Sequence, residues 1–245
     1  MTSINKTAVL IAAAGKGTRS GLNYPKTLFK IEGKSILSRI FEVVSTIDLN
    51  PTVVASPSGE IMIKRHLNSL DLTGEVVIQE HPLGMGDAVL KMLSAQAYQG
   101  ASDVLLLWGD LPFIQKSTLE QTIEAHYKNN NDFTFPTLYS DSAYTIVNRD
   151  SQKAVSGIIE TRELPNHDIG PGERDMGMFI FKKNLIFNLL NEDLPTKYSN
   201  QTNEHGFLYI IEHLVSRGRR VEALNIATKL DSISLNKMED LTNYN

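Results

Sequence analysis

The chain has 245 residues, with 24 Lys and Arg against 28 Asp and Glu, a formal net charge of -4, and 41% hydrophobic residues. That balance belongs to a folded globular chain, and no basic run reaches the density that binds nucleic acid. Cysteine is absent, which excludes disulfides, thiolate catalysis and iron–sulfur clusters and suits a reducing cytoplasm.

The polar segment Met1–Thr7 leads into the apolar stretch Ala8–Ala14, which is too short for a membrane span and lacks the basic prelude of a signal peptide. A soluble, cytoplasmic protein is expected. In chain order, Thr7–Ala13 reads as a buried strand followed by a glycine loop. Ile36–Thr46 has helical periodicity, with Ile36, Leu37, Ile40, Phe41 and Val44 on one face. Thr52–Ala55 reads as a strand, Glu60–Leu67 as a helix and Glu75–Gln79 as a strand. Asp87–Tyr98 reads as one helix and Asp103–Trp108 as a strongly apolar strand. Ser117 and Glu120 have capping-box spacing and predict a helix to about Tyr127. Phe133–Thr137, Tyr144–Asn148, Gly157–Glu160 and Gly177–Phe181 are strand-like, Asn184–Leu190 and Phe207–Val215 helical, and Arg220–Leu224 a last strand. Strands alternating with helices predict parallel β-α-β units, and the later consecutive strands predict a mixed sheet. Ligands of such sheets sit beyond the carboxyl ends of the strands.

The first such end reads Leu10-Ile11-Ala12-Ala13-Ala14-Gly15-Lys16-Gly17-Thr18-Arg19, and Pro25-Lys26 follows. Small residues let a backbone pass close to a ligand and aim free amides at phosphate oxygens. A dinucleotide fingerprint would need a third glycine where Ser20 stands. A P-loop would need a glycine at Leu28, ahead of Gly33-Lys34-Ser35. Arg19 suits paired bonds to phosphate and Lys26 acts as a point charge. At another strand end stands Gly109-Asp110. A carboxylate there suits Mg²⁺, although an aspartate in a turn before Pro112 is also common. The histidines are scattered, and neither His81 nor His205 is assigned a role.

The run from Leu10 to Arg19 with Pro25-Lys26 resembles the signature of the sugar-phosphate nucleotidyltransferases, most nearly the uridylyltransferase domains that act on N-acetylglucosamine 1-phosphate. The resemblance implies a Rossmann-like, three-layer α/β fold with a central mixed, mostly parallel sheet. It implies one domain over 1–245, with a nucleotide part at about 1–115 and an acceptor part, which also completes the metal site, at about 116–230. Ala13, Ala14, Gly15, Gly17 and Thr18 would wrap a nucleoside triphosphate, with Arg19 and Lys26 on its phosphates. Gln79 would read the base, and Gly84, Met85 and Gly86 would let base and ribose come close. Mg²⁺ would sit on Asp110 and Asn200, and Glu160, Asp175 and Gly177 would contact the acceptor.

Departures cluster on the acceptor side. Asp175 stands in place of an asparagine, Ala143-Tyr144-Thr145-Ile146 in place of Gly-Tyr-Gly-Arg, and Leu208-Tyr209 in place of Thr-Asp, while Met85 replaces a threonine. The expected reaction joins a sugar 1-phosphate to a triphosphate, UTP favoured, and releases pyrophosphate. A cytidylyl or thymidylyl transfer to another sugar or polyol phosphate is the next expectation, then a catalytically weak nucleotide-binding regulator. An NAD-dependent oxidoreductase is disfavoured by the missing glycine. Neither nucleic acid nor membrane is an expected partner. A homo-oligomer is compatible with the sequence, which shows none. No hexapeptide repeat is present, so nucleotidyl transfer without acetyl transfer is expected.

Overall fold

The computed structural model describes residues 6–15, 21–164, 170–235 and 240. The first half runs β1 (Thr7–Ala12), the short hairpin β2 (Lys30–Ile31) and β3 (Lys34–Ser35), α1 (Ile36–Val44), β4 (Thr52–Ala55), α2 (Pro57–Ser69), β5 (Glu75–Ile78), α3 (Met85–Leu90), α4 (Gln96–Gly100) and β6 (Asp103–Trp108). The second half runs α5 (Lys116–Lys128), β7 (Phe133–Ala143), β8 (Thr145–Arg149), β9 (Val155–Glu160), β10 (Gly170–Asp175), β11 (Met178–Lys182), α6 (Lys183–Asn191), α7 (Ile210–Ser216) and β12 (Val221–Leu224).

The main sheet has the order β10-β7-β11-β6-β1-β4-β5, with β12 also paired to β7. The β6-β1-β4-β5 block is parallel, and β11 enters antiparallel between β6 and β7. Side-chain alternation along the strands builds two apolar layers. On one face Leu10, Val104, Leu106, Phe133 and Phe179 pack with Ile186 of α6 and Ile211 and Leu214 of α7. On the other, Val9, Ile11, Leu105, Leu107 and Ile180 pack with Ile36 and Ile40 of α1, Ile63 of α2 and Leu119 of α5. Each fully buried leucine in β6 contributes roughly 1.5–3 kcal/mol of transfer free energy. The fold is therefore a three-layer α/β sandwich with a mixed, largely parallel sheet, as expected. Among the described residues no helix is long and apolar enough to cross a membrane.

Capping fixes several helix starts. Ser35 caps α1 by accepting from the Ser38 amide, and Ser56 caps α2 by accepting from that of Gly59, with Pro57 in the first turn. The expected capping box at Ser117 is not formed. The helix α5 begins two residues earlier, its N-cap is Gln115, and no side chain within the helix caps it. Asp231 does so from far along the chain, its Oδ1 accepting from the Gln115 amide at 2.7 Å and its Oδ2 from Thr118 Oγ1 at 3.0 Å.

The single helix expected over Asp87–Tyr98 is also corrected. α3 ends at Leu90, a 3₁₀ turn spans Lys91–Ser94, Ala95 is extended, and α4 restarts at Gln96. The break buries Met92 and Ala95, and Glu75 accepts from the Gln96 amide at 2.9 Å. The strand β7 outruns its expected end because β10 pairs with it from Thr137 to Ala143. β10, with the sequence GPGERD, was not expected at all. Glycine, proline and charge give it poor strand propensity, and its partner supplies the ladder.

Candidate active site

The turns after β1, β5 and β6 open on one side of the sheet into a cavity of about 570 Å³. Ala13, Ala14, Gly15, Lys26, Gln79, Gly84, Met85, Asp110 and Glu160 all line it. The structure therefore brings together sequence-predicted residues from widely separated parts of the chain. Arg19, Gly17 and Thr18 lie outside the described residues.

Close backbone packing makes this convergence possible. The Gly109 amide donates to the Ala12 carbonyl at 2.9 Å, and a Cβ on Gly109 would stand 2.9 Å from that oxygen. The β1 and β6 turns thus lie against each other, with Asp110 beside the Ala13–Gly15 loop. The amides of Ala14 and Gly15 donate to no described residue.

At the cavity floor Lys26 Nζ is 2.8 Å from Asp110 Oδ2 and donates to the Leu235 carbonyl at 2.9 Å. The Leu235 amide in turn donates to the Asp110 carbonyl at 2.9 Å. The segment ending at Leu235 is therefore part of the site, and Arg174 holds it further back through the Ser232 carbonyl at 3.1 Å. Sequence reasoning missed this segment because its contacts use backbone atoms, which leave no residue-type signature. The other oxygen, Asp110 Oδ1, is buried and accepts no bond; Thr27 Oγ1 and Trp108 Nε1 in the same wall are also unpartnered. Buried polar atoms without partners are costly unless a ligand satisfies them.

The unpartnered Asp110 oxygen fits a divalent ion, whereas Trp108 Nε1, a donor only, does not. Among the described residues the cavity wall carries the carboxylates Asp110, Glu160 and Glu204 against the cations Lys26 and Arg162. No group of three potential metal-binding side chains is present among them. Mg²⁺ is compatible with that sparse set, because it keeps several waters and completes its shell with phosphate oxygens.

Several expected site residues stand elsewhere than the cavity wall. Asn200 is exposed and does not line the cavity; its backbone amide donates to Glu163 Oε2 at 3.0 Å. That loop reaches the cavity through Glu204–Leu208 instead. Asp175 is fully buried and also absent from the wall. Its oxygens accept from Thr145 Oγ1 at 2.6 Å and the Gly177 amide at 2.8 Å, and burial raises its pKa. Gly177 acts through packing. At φ 67° it accepts a conformation that side chains disfavour, and a Cβ there would stand 2.7 Å from the Trp108 ring. Trp108, unassigned by sequence, thereby becomes the wall beside Asp110.

Glu160 lines the cavity, paired with Arg162 at 2.8 Å, and burial raises its pKa. Gly84 and Gly86 make room for protein backbone: a Cβ on Gly84 would strike the His205 carbonyl, and one on Gly86 that of Gly206. The Gly86 amide donates to the His205 carbonyl at 3.0 Å, and the His205 amide donates to the Leu83 carbonyl at 2.6 Å. The imidazole of His205 is buried here, and that burial lowers its pKa to about 4. Gln79 is 5% exposed, and its Nε2 donates to the Gly84 carbonyl at 2.9 Å and Asp87 Oδ2 at 2.8 Å.

Residues 9–165 match the MobA-like NTP transferase domain. The bifunctional protein GlmU of Thermodesulfovibrio yellowstonii is 28% identical over 237 residues, 96% of this chain and 50% of that protein. GlmU of a Picosynechococcus species is 31% identical, over 90% of this chain and 47% of that protein. The chain thus spans about half the length of the curated relatives it matches. Among solved structures, the inositol-1-phosphate CTP transferase from T. maritima superposes with a TM-score of 0.69 at 16% identity, covering 90% of this chain and 85% of that one. HddC from Yersinia pseudotuberculosis, complexed with GMP-PN, gives 0.68 at 21% identity over 97% of both chains. Those two likenesses bear on the fold, and the match over 9–165 bears on the family: the chain is a nucleotidyltransferase-fold protein that belongs to the MobA-like NTP transferase family.

Proposed function

We propose that the protein is a Mg²⁺-dependent nucleotidyltransferase that joins a sugar 1-phosphate, or a similar phosphorylated small molecule, to a nucleoside triphosphate, with UTP favoured. The observation that carries this reading is the Lys26–Asp110 pair on the floor of a nucleotide-sized cavity, with Asp110 Oδ1 unsatisfied. An acceptor phosphate oxygen would attack the α-phosphorus, the bond to the β-phosphate would break, and pyrophosphate would leave. The nucleophile is already an anion, so no strong general base is required. The barrier lies in holding two anions in line, which positioning and charge neutralisation address. Lys26 supplies a fixed positive charge, the Ala14 and Gly15 amides supply donors, and Asp110 would hold the ion. When bound, Mg²⁺ supplies charge neutralisation and orientation of phosphate oxygens. Trp108, Glu160 and Arg162 form the wall available to the acceptor.

Because Asp175 and Gly177 stand behind that wall, its chemistry differs from the asparagine-bearing pattern that the sequence resemblance implies. This favours a second acceptor reading, a different sugar or a polyol phosphate. The test is pyrophosphate release with Mg²⁺, pairing UTP, CTP, dTTP, ATP and GTP with sugar and polyol phosphates. Release that requires one triphosphate together with one acceptor is expected. Folded protein that binds a triphosphate and releases nothing across the panel would overturn the reading.

A further inference from the structure

We infer that Asp87 sets the nucleotide preference by fixing which end of the Gln79 side chain is offered to the base. The inference rests on the nucleotidyltransferase reading, and its choice of uracil rests on the preference for UTP. Both partners of Gln79 Nε2, the Gly84 carbonyl and the Asp87 carboxylate, are acceptors only. Turning the amide over would set Oε1 against two oxygens, one of them on a charged group. The network itself therefore assigns the amide orientation.

Oε1 is the end left without a partner among the described residues, on a side chain that lines the cavity. Asp87 is itself held, with Oδ1 3.2 Å from Lys91 Nζ. At the start of α3 the Met85 amide donates to no described residue, and Met85 lines the same wall. The same cavity wall thus carries one oriented acceptor, Gln79 Oε1, and one free donor, the Met85 amide. Uracil and thymine carry a donor at N3 beside an acceptor at O4; cytosine carries an acceptor at N3 beside a donor at N4. A fixed order of donor and acceptor accepts one kind of ring and rejects the other. Without the Asp87 carboxylate, only the Gly84 carbonyl opposes turning the Gln79 amide over, and the other end is presented at lower cost.

A merely structural role must be separated from this one. Asp87 sits in the first turn of α3, where a carboxylate also favours the helix. Loss of that contribution alone would lower the melting temperature and leave base selection unchanged. The experiment is calorimetric binding of UTP, dTTP and CTP, with Mg²⁺ and no acceptor, to wild type, Asp87→Asn, Gln79→Ala and the double variant. Asp87→Ser serves as a second replacement that also donates or accepts.

Wild type is expected to separate UTP from CTP by about tenfold or more, the scale of leaving one buried donor or acceptor unpaired. Asp87→Asn, which removes the charge that penalises a turned-over amide, is expected to lower that ratio by about threefold or more, and to add nothing in the Gln79→Ala background. An unchanged ratio in folded Asp87→Asn or Asp87→Ser would overturn the inference. So would an equal effect in the Gln79→Ala background, or wild type that binds UTP and CTP alike or binds neither. Wild type that prefers CTP, with the preference lost in Asp87→Asn, would refute the UTP reading and leave the role of Asp87 standing. Selective binding without turnover would refute the transferase reading alone.

Discussion

Lys26 and Asp110 are each 17% exposed, and their pairing is shielded enough that removing either charge is felt at the cavity floor. Asp110→Asn keeps the shape and an oxygen that can accept from Lys26, so it tests charge with the fold preserved. Asp110→Asn and Lys26→Met are each expected to lower turnover by about 10²–10³, the usual effect of losing one preorganised electrostatic contact. Turnover within about threefold of wild type, with an unchanged circular dichroism spectrum, would remove that residue from the chemistry. Lys26 lies far beyond the end of β1 and was singled out through its charge and the motif around it. Asp110 was legible in the sequence for a physical reason: a charged side chain just after a buried strand points past the sheet edge, where ligands bind. Asp175 shows the limit of that logic, because it also ends a strand, β10, and yet lies fully buried beneath Thr145 and Gly177. Periodicity places a residue along a strand; it does not say what packs over the strand's end.

The elements that the sequence showed best are those whose own side chains form the core. The strand β6, a run of buried leucines, appears with the bounds its apolar pattern predicts, and so does β4. Elements made by their partners were not legible: β10 exists through β7, and the break between α3 and α4 through Glu75 and the sheet beneath Met92. The pairing between the Leu83–Gly86 loop and His205 belongs to this second kind. It carries a pH signature. His205 stays neutral in the fold down to pH about 4, whereas the unfolded chain takes up its proton near the ordinary imidazole value of 6.5. The unfolded state therefore binds more protons between these values, and stability is lost as pH falls through that window. Between pH 7 and pH 4.5, wild type is expected to lose about 2 kcal/mol more than His205→Asn, measured as urea unfolding free energies. Equal losses in the two proteins would show that the imidazole does not couple to folding.

Across the whole molecule, the two halves are held to one geometry by residues near the end of the described chain. Asp231 is 2% exposed and also accepts from the Thr228 amide and hydroxyl, each at 2.8 Å, while it caps α5. It fixes the turn from which the chain runs to Leu235 and the Lys26–Asp110 pair. Asp231→Ala is expected to cost about 2–4 kcal/mol, because it removes a helix cap and leaves buried donors unpaired. Turnover should also fall, since the Leu235 carbonyl is a partner of Lys26. A loss of less than about 0.5 kcal/mol in urea unfolding would show that the turn holds without its carboxylate.

The insertion of β11 between β6 and β7 has a consequence for the order in which the molecule can be made. As the chain leaves the ribosome, β6 can pair with β1 at once. Its other edge stays bare until Lys182 has emerged, because β7, made earlier, does not pair with β6 itself. The exposed strand is the apolar run Asp103–Trp108, the kind of edge that recruits chaperones or neighbouring chains while it waits. Leu235 arrives later still, so a nascent chain holds its nucleotide loops in place well before the cavity floor is finished.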